Sequence, residues 1–203
     1  MDRTGERRTV RAIPLDFTAR QEDGGEMILE GYFSVFNSDY EIWPGATESI
    51  APGAFAGSLA NDVRALINHD TTLVLGRTKN RTLEIREDSR GLWGRVVINP
   101  KDGDAVNAYE RVSRGDVDGC SIGFSIRDEE TEFHEDGSIH WTIKDVELYE
   151  VSVCTFPAYE DTNITARQRQ ADEIRKRQLE AWKQKMLRRV KDGVKGAASE
   201  EED

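Results

Sequence analysis

Up to about residue 160 the chain is built of short stretches in which apolar and polar residues alternate. Arg11-Ala-Ile-Pro-Leu-Asp-Phe-Thr-Ala and Met27-Ile-Leu-Glu-Gly-Tyr-Phe-Ser-Val-Phe have the period of two that sends every second side chain to one face of a strand. Gly24-Gly25 between them marks a turn. Val63 to Asn68 is a short apolar run with a charge inside it. Arg81-Thr-Leu-Glu-Ile-Arg-Glu and Leu92-Trp-Gly-Arg-Val-Val-Ile read as two strands joined by a hairpin loop at Asp88-Ser-Arg-Gly. Gly119 to Arg127 and Ile139 to Thr155 read as the last long strands, with His134-Glu-Asp-Gly-Ser as the turn before the second. Two short helices are predicted among them. One is Pro52-Gly-Ala-Phe-Ala-Gly-Ser-Leu. The other runs from Asp104, has Val106, Tyr109 and Val112 on one face, and stops at Gly115. Many strands at regular spacing with few helices predict a mainly β fold, a closed or nearly closed β-barrel.

The period changes after Thr165. Ile174, Leu179, Trp182, Met186, Leu187 and Val190 recur at three-to-four spacing among Arg, Lys and Gln. This predicts an amphipathic helix of about 25 residues that ends at Gly193. The organisation read from these shifts is a tail over 1–9, a β domain over 10–165, a basic amphipathic helix over 166–193 and a disordered acidic tail over 194–203.

Charge follows the same division. The whole chain carries −11. Residues 167–195 hold eleven Lys/Arg against four Asp/Glu, a net +7, and the last eight residues carry −4, which leaves −14 on residues 1–166. An acidic body argues against a nucleic-acid-binding core. No apolar run approaches the ~20 residues that span a bilayer. No apolar stretch follows the basic start Met1-Asp-Arg-Thr-Gly-Glu-Arg-Arg, so no secretory signal is read and a cytoplasmic location is expected. Neither nucleic acid nor membrane is an expected partner. Cys120 and Cys154 lack CxxC spacing and there are three histidines, so neither a disulfide framework nor a metal or cofactor site is expected.

Candidate chemistry lies at three places. His69 follows Ala65-Leu-Ile-Asn and precedes Asp70, at a strand end where an imidazole can serve as a general base. By itself it reads first as a surface or hydrogen-bonded loop histidine. Ser121, in Asp118-Gly-Cys-Ser-Ile-Gly-Phe-Ser, is a strand serine among small residues rather than the nucleophile of a strand-to-helix elbow. By itself it reads first as an ordinary strand serine beside a bulge. In a regular strand Val146, Leu148, Glu150, Ser152 and Cys154 share one face, and Asp145, Glu147, Tyr149, Val151 and Val153 the other. Either Glu147 or Glu150 can orient an imidazole and balance its charge. His134 and His140 sit in and beside a polar hairpin and are expected to be exposed.

An ordered set of short motifs unites these residues. They are Leu29-Glu-Gly-Tyr-Phe-Ser-Val-Phe-Asn, Ile50-Ala-Pro-Gly-Ala-Phe, Leu66-Ile-Asn-His-Asp, Gly76-Arg-Thr, Gly91-Leu-Trp, Gly119-Cys-Ser-Ile-Gly-Phe and Leu148-Tyr-Glu-Val-Ser-Val-Cys-Thr-Phe-Pro-Ala-Tyr. In these the chain resembles the prohead maturation proteases of tailed bacteriophages, which are distantly similar to the herpesvirus assemblins. The resemblance implies an assemblin-like barrel and a serine endopeptidase. Its implied work is to remove scaffold or capsid-protein segments, and segments of itself, inside the prohead assembling in the host cytoplasm. The implied partners are the major capsid protein with its scaffold segment, with self-association left open. His69 matches the histidine of the Asn-His-Asp motif and Ser121 the serine nucleophile. The third member falls on Glu147 by its distance from the serine, with Glu150 of Leu-Tyr-Glu-Val-Ser as its rival. Cys120 adjoins the nucleophile, but adjacent strand residues face opposite ways. Cys154 is read as a small buried hydrophobe. The oxyanion hole is expected from backbone groups near Thr155 to Tyr159, where Pro157 has no N–H to give.

Overall fold

In the computed structural model, which describes residues 9–14, 17–22, 25–155 and 161–198, the alternating stretches become strands. They are β1 (Thr9–Pro14), β2 (Phe17–Gln21), β3 (Met27–Val35), β4 (Tyr40–Trp43), β5 (Ala46–Ile50), β6 (Arg64–Ile67), β7 (Asp70–Arg77), β8 (Leu83–Glu87), β9 (Gly91–Val97), β10 (Gly119–Phe133) and β11 (Ile139–Cys154). The helices are α1 (Gly103–Arg114) and α2 (Asp161–Ala198). The chain divides into two compact units, Met1–Glu160 and Asp161–Asp203.

The strands divide into two sheets rather than closing into the expected barrel. The larger runs β1-β10-β11-β5-β4, with β6 and β7 continuing from β11 beyond β5; the smaller runs β2-β3-β9-β8. Among the described residues no ladder joins them. β7 borders the small sheet, but its hydrogen-bonded partner is β6. Its Gly76 meets the small sheet by van der Waals approach instead, and a Cβ there would lie 2.7 Å from the Thr82 carbonyl oxygen. The inner faces of both sheets feed one core. Leu29 and Phe33 of β3, Leu92 and Val96 of β9, Ile122 and Phe124 of β10, and Val151 and Val153 of β11 are all buried in it. α1 adds Ala105, Ala108, Tyr109 and Val112.

Local chemistry sets the ends of α1. The Asp102 side chain accepts hydrogen bonds from the Asp104 and Ala105 N–H groups, and Gly115 closes the helix in the left-handed conformation at φ 79°. The buried face is rotated from the expected one: Val106 is only half-buried, and the alanines fill the contact. The predicted helix at Pro52–Leu59 is reduced to a 3-10 turn over Ala56–Ser58. Two glycines and a proline in eight residues disfavour a longer helix.

That turn has a structural task. β11 pairs in parallel first with β5, over Ile139–Ile143, and then with β6, over Glu150–Val153. Between them the β11 edge is satisfied by the turn. Val146 N–H donates to the Ala54 carbonyl at 3.0 Å. The buried Ser58 hydroxyl donates to the Val146 carbonyl at 2.7 Å and accepts from Leu148 N–H at 3.1 Å. One long strand thereby serves two partners, and the second brings His69.

The C-terminal helix is longer than expected. α2 runs 38 residues and continues through Gly193 to Ala198, into the stretch read as a disordered tail.

Candidate active site

His69 stands at the tip of the β6–β7 hairpin. Ile67 and Asp70 are paired across it, so Asn68 and His69 form a two-residue turn. Their φ angles are 49° and 62°. Left-handed conformations at both central positions are those of a type I′ turn, whose twist matches that of the flanking strands. Asn tolerates the first position; His at the second is strained. The tip is tied down on both sides. Asn68 N–H donates to the Val153 carbonyl at 2.9 Å, and the Asn68 side chain accepts from Thr155 N–H at 3.0 Å. His69 N–H donates to the Ser152 hydroxyl at 3.3 Å.

The imidazole meets Glu150. His69 Nδ1 lies 2.7 Å from Glu150 Oε1. The other carboxylate oxygen, Oε2, accepts from the Ser152 hydroxyl at 2.6 Å. Glu150 is buried, at 3% exposure, while the His69 side chain keeps 16%. A carboxylate on Nδ1 fixes the tautomer with its proton on that nitrogen. Nε2 is then left as the basic atom, and it lies 3.7 Å from Cys154 Sγ. Burial pushes the Cys154 thiol up to about 12, so it stays protonated at neutral pH.

Ser121 lies beside this pair. On β10 it is directly opposite Ser152 of β11, and its flanking positions pair Gly123 with Glu150 and Gly119 with Cys154. Opposed residues of an antiparallel pair project to the same face, with Cβ atoms about 5 Å apart. Ser121, Glu150, Ser152 and Cys154 therefore share one side of the sheet. The intervening Cys120, Ile122, Val151 and Val153 enter the core on the other. Gly119 gives the ladder room here, since a Cβ would stand 2.7 Å from the Cys154 carbonyl oxygen. Ser121 is fully buried, at 0% exposure.

Glu147 is placed differently. The ladder slips between Gly123 and Phe124: Gly123 pairs with Glu150, but Phe124 pairs with Leu148, and Tyr149 is the extra residue of a β-bulge. The bulge breaks the regular alternation expected for β11. Leu148 and Val151 both face the core, and Glu150 leaves the face that regular alternation would give it. Glu147 stays on the outer side, opposite Ser125, about 10 Å of strand from Glu150. It is 41% exposed and pairs with Arg127 at 3.1 Å. The structure brings Glu150 to His69 and leaves Glu147 with Arg127.

Cys120 is buried on the core side, where loss of hydration pushes its thiol well above the ordinary range. His134 is exposed, as expected. His140 is half-buried, with Nδ1 2.8 Å from the Thr47 hydroxyl and Nε2 2.9 Å from that of Ser49. In the stretch expected to supply the oxyanion hole, Thr155 already gives its N–H to Asn68. Residues 156–159, with Pro157, lie outside the described residues. Reading by residue type did not single out Asn68 or Ser152. Both were within the quoted motifs, Ser152 at strand period two from Glu150, but neither carries a side chain that advertises chemistry.

The sequence profile described as caudovirus prohead serine protease matches residues 15–177. The prohead protease of Enterobacteria phage HK97 is 37% identical over 151 residues, which cover 71% of this chain and 61% of that protein. The chain thus matches less than two thirds of that relative's length. The solved structure of the bacteriophage T4 capsid assembly protease, gp21, aligns over 71% of this chain and 98% of that one, with 8% identity and a TM-score of 0.41. The profile match takes in the hairpin of His69, the strand of Ser121 and the bulged strand of Glu150, and on it the chain belongs to the caudovirus prohead serine protease family.

Proposed function

We propose that this chain is a serine endopeptidase that cleaves scaffold or capsid-protein segments inside the prohead, with Ser121 as nucleophile, His69 as general base and Glu150 as the acid behind it. The observation that carries the assignment is the 2.7 Å contact between His69 Nδ1 and Glu150, on the side of the sheet where Ser121 sits two ladder positions away. Family membership supplies the reaction class.

Nε2 of His69 takes the Ser121 hydroxyl proton as its oxygen bonds to the peptide carbonyl carbon. The tetrahedral intermediate collapses as Nε2 returns the proton to the leaving amine, which departs with the new N-terminus. Water, deprotonated by the same nitrogen, then attacks the acyl-enzyme and releases the carboxylate and the free serine. Glu150 stabilises the imidazolium at each transfer. Ser152 and Asn68 act as positioning residues. Ser152 holds the second carboxylate oxygen, and Asn68 fastens the hairpin tip to the end of β11.

Two other readings make different demands. An inactive assembly module needs no contact between His69 and a buried carboxylate. A cysteine hydrolase on Cys120 needs a thiolate facing His69, whereas this thiol is sealed in the core and held protonated. A fluorophosphonate probe followed by peptide mapping decides among the three. An adduct on Ser121, lost in His69→Ala, is expected. An adduct on no residue, or labelling of Cys120 by a thiol-directed probe with loss of activity, would contradict the assignment.

A further inference from the structure

α2 carries apolar side chains in water. Leu179, Trp182 and Leu187 are half exposed or more, at 50%, 55% and 55%, and Met186 is 38% exposed. At about 100° per residue, Leu179, Trp182 and Met186 fall within an arc of about 60°. These three have the three-four spacing of coiled-coil core positions over one heptad; the next such positions are Arg175 and Arg189, and Leu187 widens the exposed apolar arc to about 140°. Lys176 and Lys183, seven residues apart, run along one margin of the stripe, and Leu187 lies beyond Lys183. Both lysines are exposed, and Lys183 also meets Glu180 at 2.9 Å on the same helix. Residues 167–195 together carry +7.

We propose that the stripe Leu179–Trp182–Met186 is a docking seam for an acidic amphipathic helix of another protein. The seam supplies apolar core positions, and the basic margin selects a partner whose flanking positions are Glu or Asp. The excess positive charge disfavours pairing with a second copy of the same segment, which brings like charges together. Duplex DNA would answer the lysines but leave the apolar stripe in water. An anionic bilayer favours a broad apolar face free of charge, and here Lys183 divides Leu187 from the stripe. The proposal rests on the family reading only in that a protease of an assembling particle needs a route to its substrate. The seam itself is independent of His69 and Ser121.

The test uses the full chain carrying Ser121→Ala, so that cleavage plays no part in binding. Its probe is a labelled synthetic peptide of about four heptads, with Leu at the core positions and Glu at the flanking ones. Controls are the same peptide with Lys for Glu, phosphatidylserine/phosphatidylcholine vesicles and duplex DNA, all followed by fluorescence anisotropy or co-sedimentation. The Glu peptide is expected to bind, the Lys peptide to bind at least about tenfold more weakly, and Trp182→Ala to lower affinity about tenfold or more. Circular dichroism checks that the variant keeps its helix. Lys176→Glu with Lys183→Glu is expected to shift preference toward the Lys peptide. Equal binding of the two peptides would overturn the proposal, as would tighter binding to vesicles or DNA, or self-association through Trp182. A separate assay of the Ser121-intact chain on a short peptide keeps the outcomes apart: turnover there with no helix binding refutes the seam and leaves the protease.

Discussion

His69 is held in a backbone conformation that glycine would occupy more comfortably. With φ at 62° it pays for its position in strain, of order 1 kcal/mol for a residue with a Cβ. Comparison of two variants isolates this cost, because both lose the imidazole and leave Glu150 equally bereft. His69→Gly is expected to be more stable than His69→Ala by about 1 kcal/mol in urea unfolding, with neither active. Equal stabilities would mean that the turn relaxes without strain. The two glutamates give a second residue-scale contrast. Glu150→Gln should lower kcat by about 10²–10⁴-fold, since the imidazolium loses its counter-charge. Glu147→Gln removes only a half-exposed pair with Arg127 and should leave kcat within about twofold, as exposed ion pairs contribute little. A large loss in Glu147→Gln with none in Glu150→Gln would reverse the assignment. His69, Ser121 and the choice between two glutamates were legible in the sequence, because imidazole, hydroxyl and carboxylate are chemically distinctive. Which glutamate meets His69 was not. Spacing from the serine favoured Glu147, and spacing along a chain does not register a bulge.

That bulge is the decisive device at the scale of the element. Regular alternation puts Glu150 on the face of Val146 and Leu148, where a carboxylate would be driven into the core. The extra residue at Tyr149 restores Val151 and Val153 to the core and turns Glu150 to the side of Ser121. Deletion of Tyr149 closes the bulge: Glu150 then follows Leu148 directly, so Glu150 stays on the side of Ser121 and Val151 and Val153 stay in the core. It is expected to cost only about 1–2 kcal/mol, because no buried side chain changes face and no carboxylate enters the apolar core. Chemical denaturation measures this, and a deletion variant that fails to fold would contradict the role given to the bulge. Elements with a strong period were readable from the sequence: β3, β8, β9, α1 and the long β10 and β11. β4, β5 and β7 were missed. Burial along β7 runs from an exposed start to a buried end, so no single face repeats. The helix predicted at Pro52–Leu59 is cut to one turn by its proline and two glycines, and that turn offers the Ala54 carbonyl and the Ser58 hydroxyl to the edge of β11.

For the whole molecule, mainly β composition was legible and closure was not. Alternation fixes which side chains turn inward, but it does not specify which strand edges meet. Here β11 divides one edge between β5 and β6, and two sheets share a core with no common ladder among the described residues. This arrangement holds the proposed catalytic residues on three separate elements of one sheet: the β6–β7 hairpin, β10 and β11. The exposed basic seam of α2 belongs to the second unit, which separates recognition from chemistry along the sequence. The most direct measurement is co-expression of the chain with its cognate capsid protein, comparing wild type with Ser121→Ala by electrophoresis and intact mass. Capsid-protein processing by the wild type and its complete loss in Ser121→Ala is expected. Equal processing by both, or none by a folded wild type in assembled particles, would contradict the assignment of Ser121 as the nucleophile of a capsid-maturing protease.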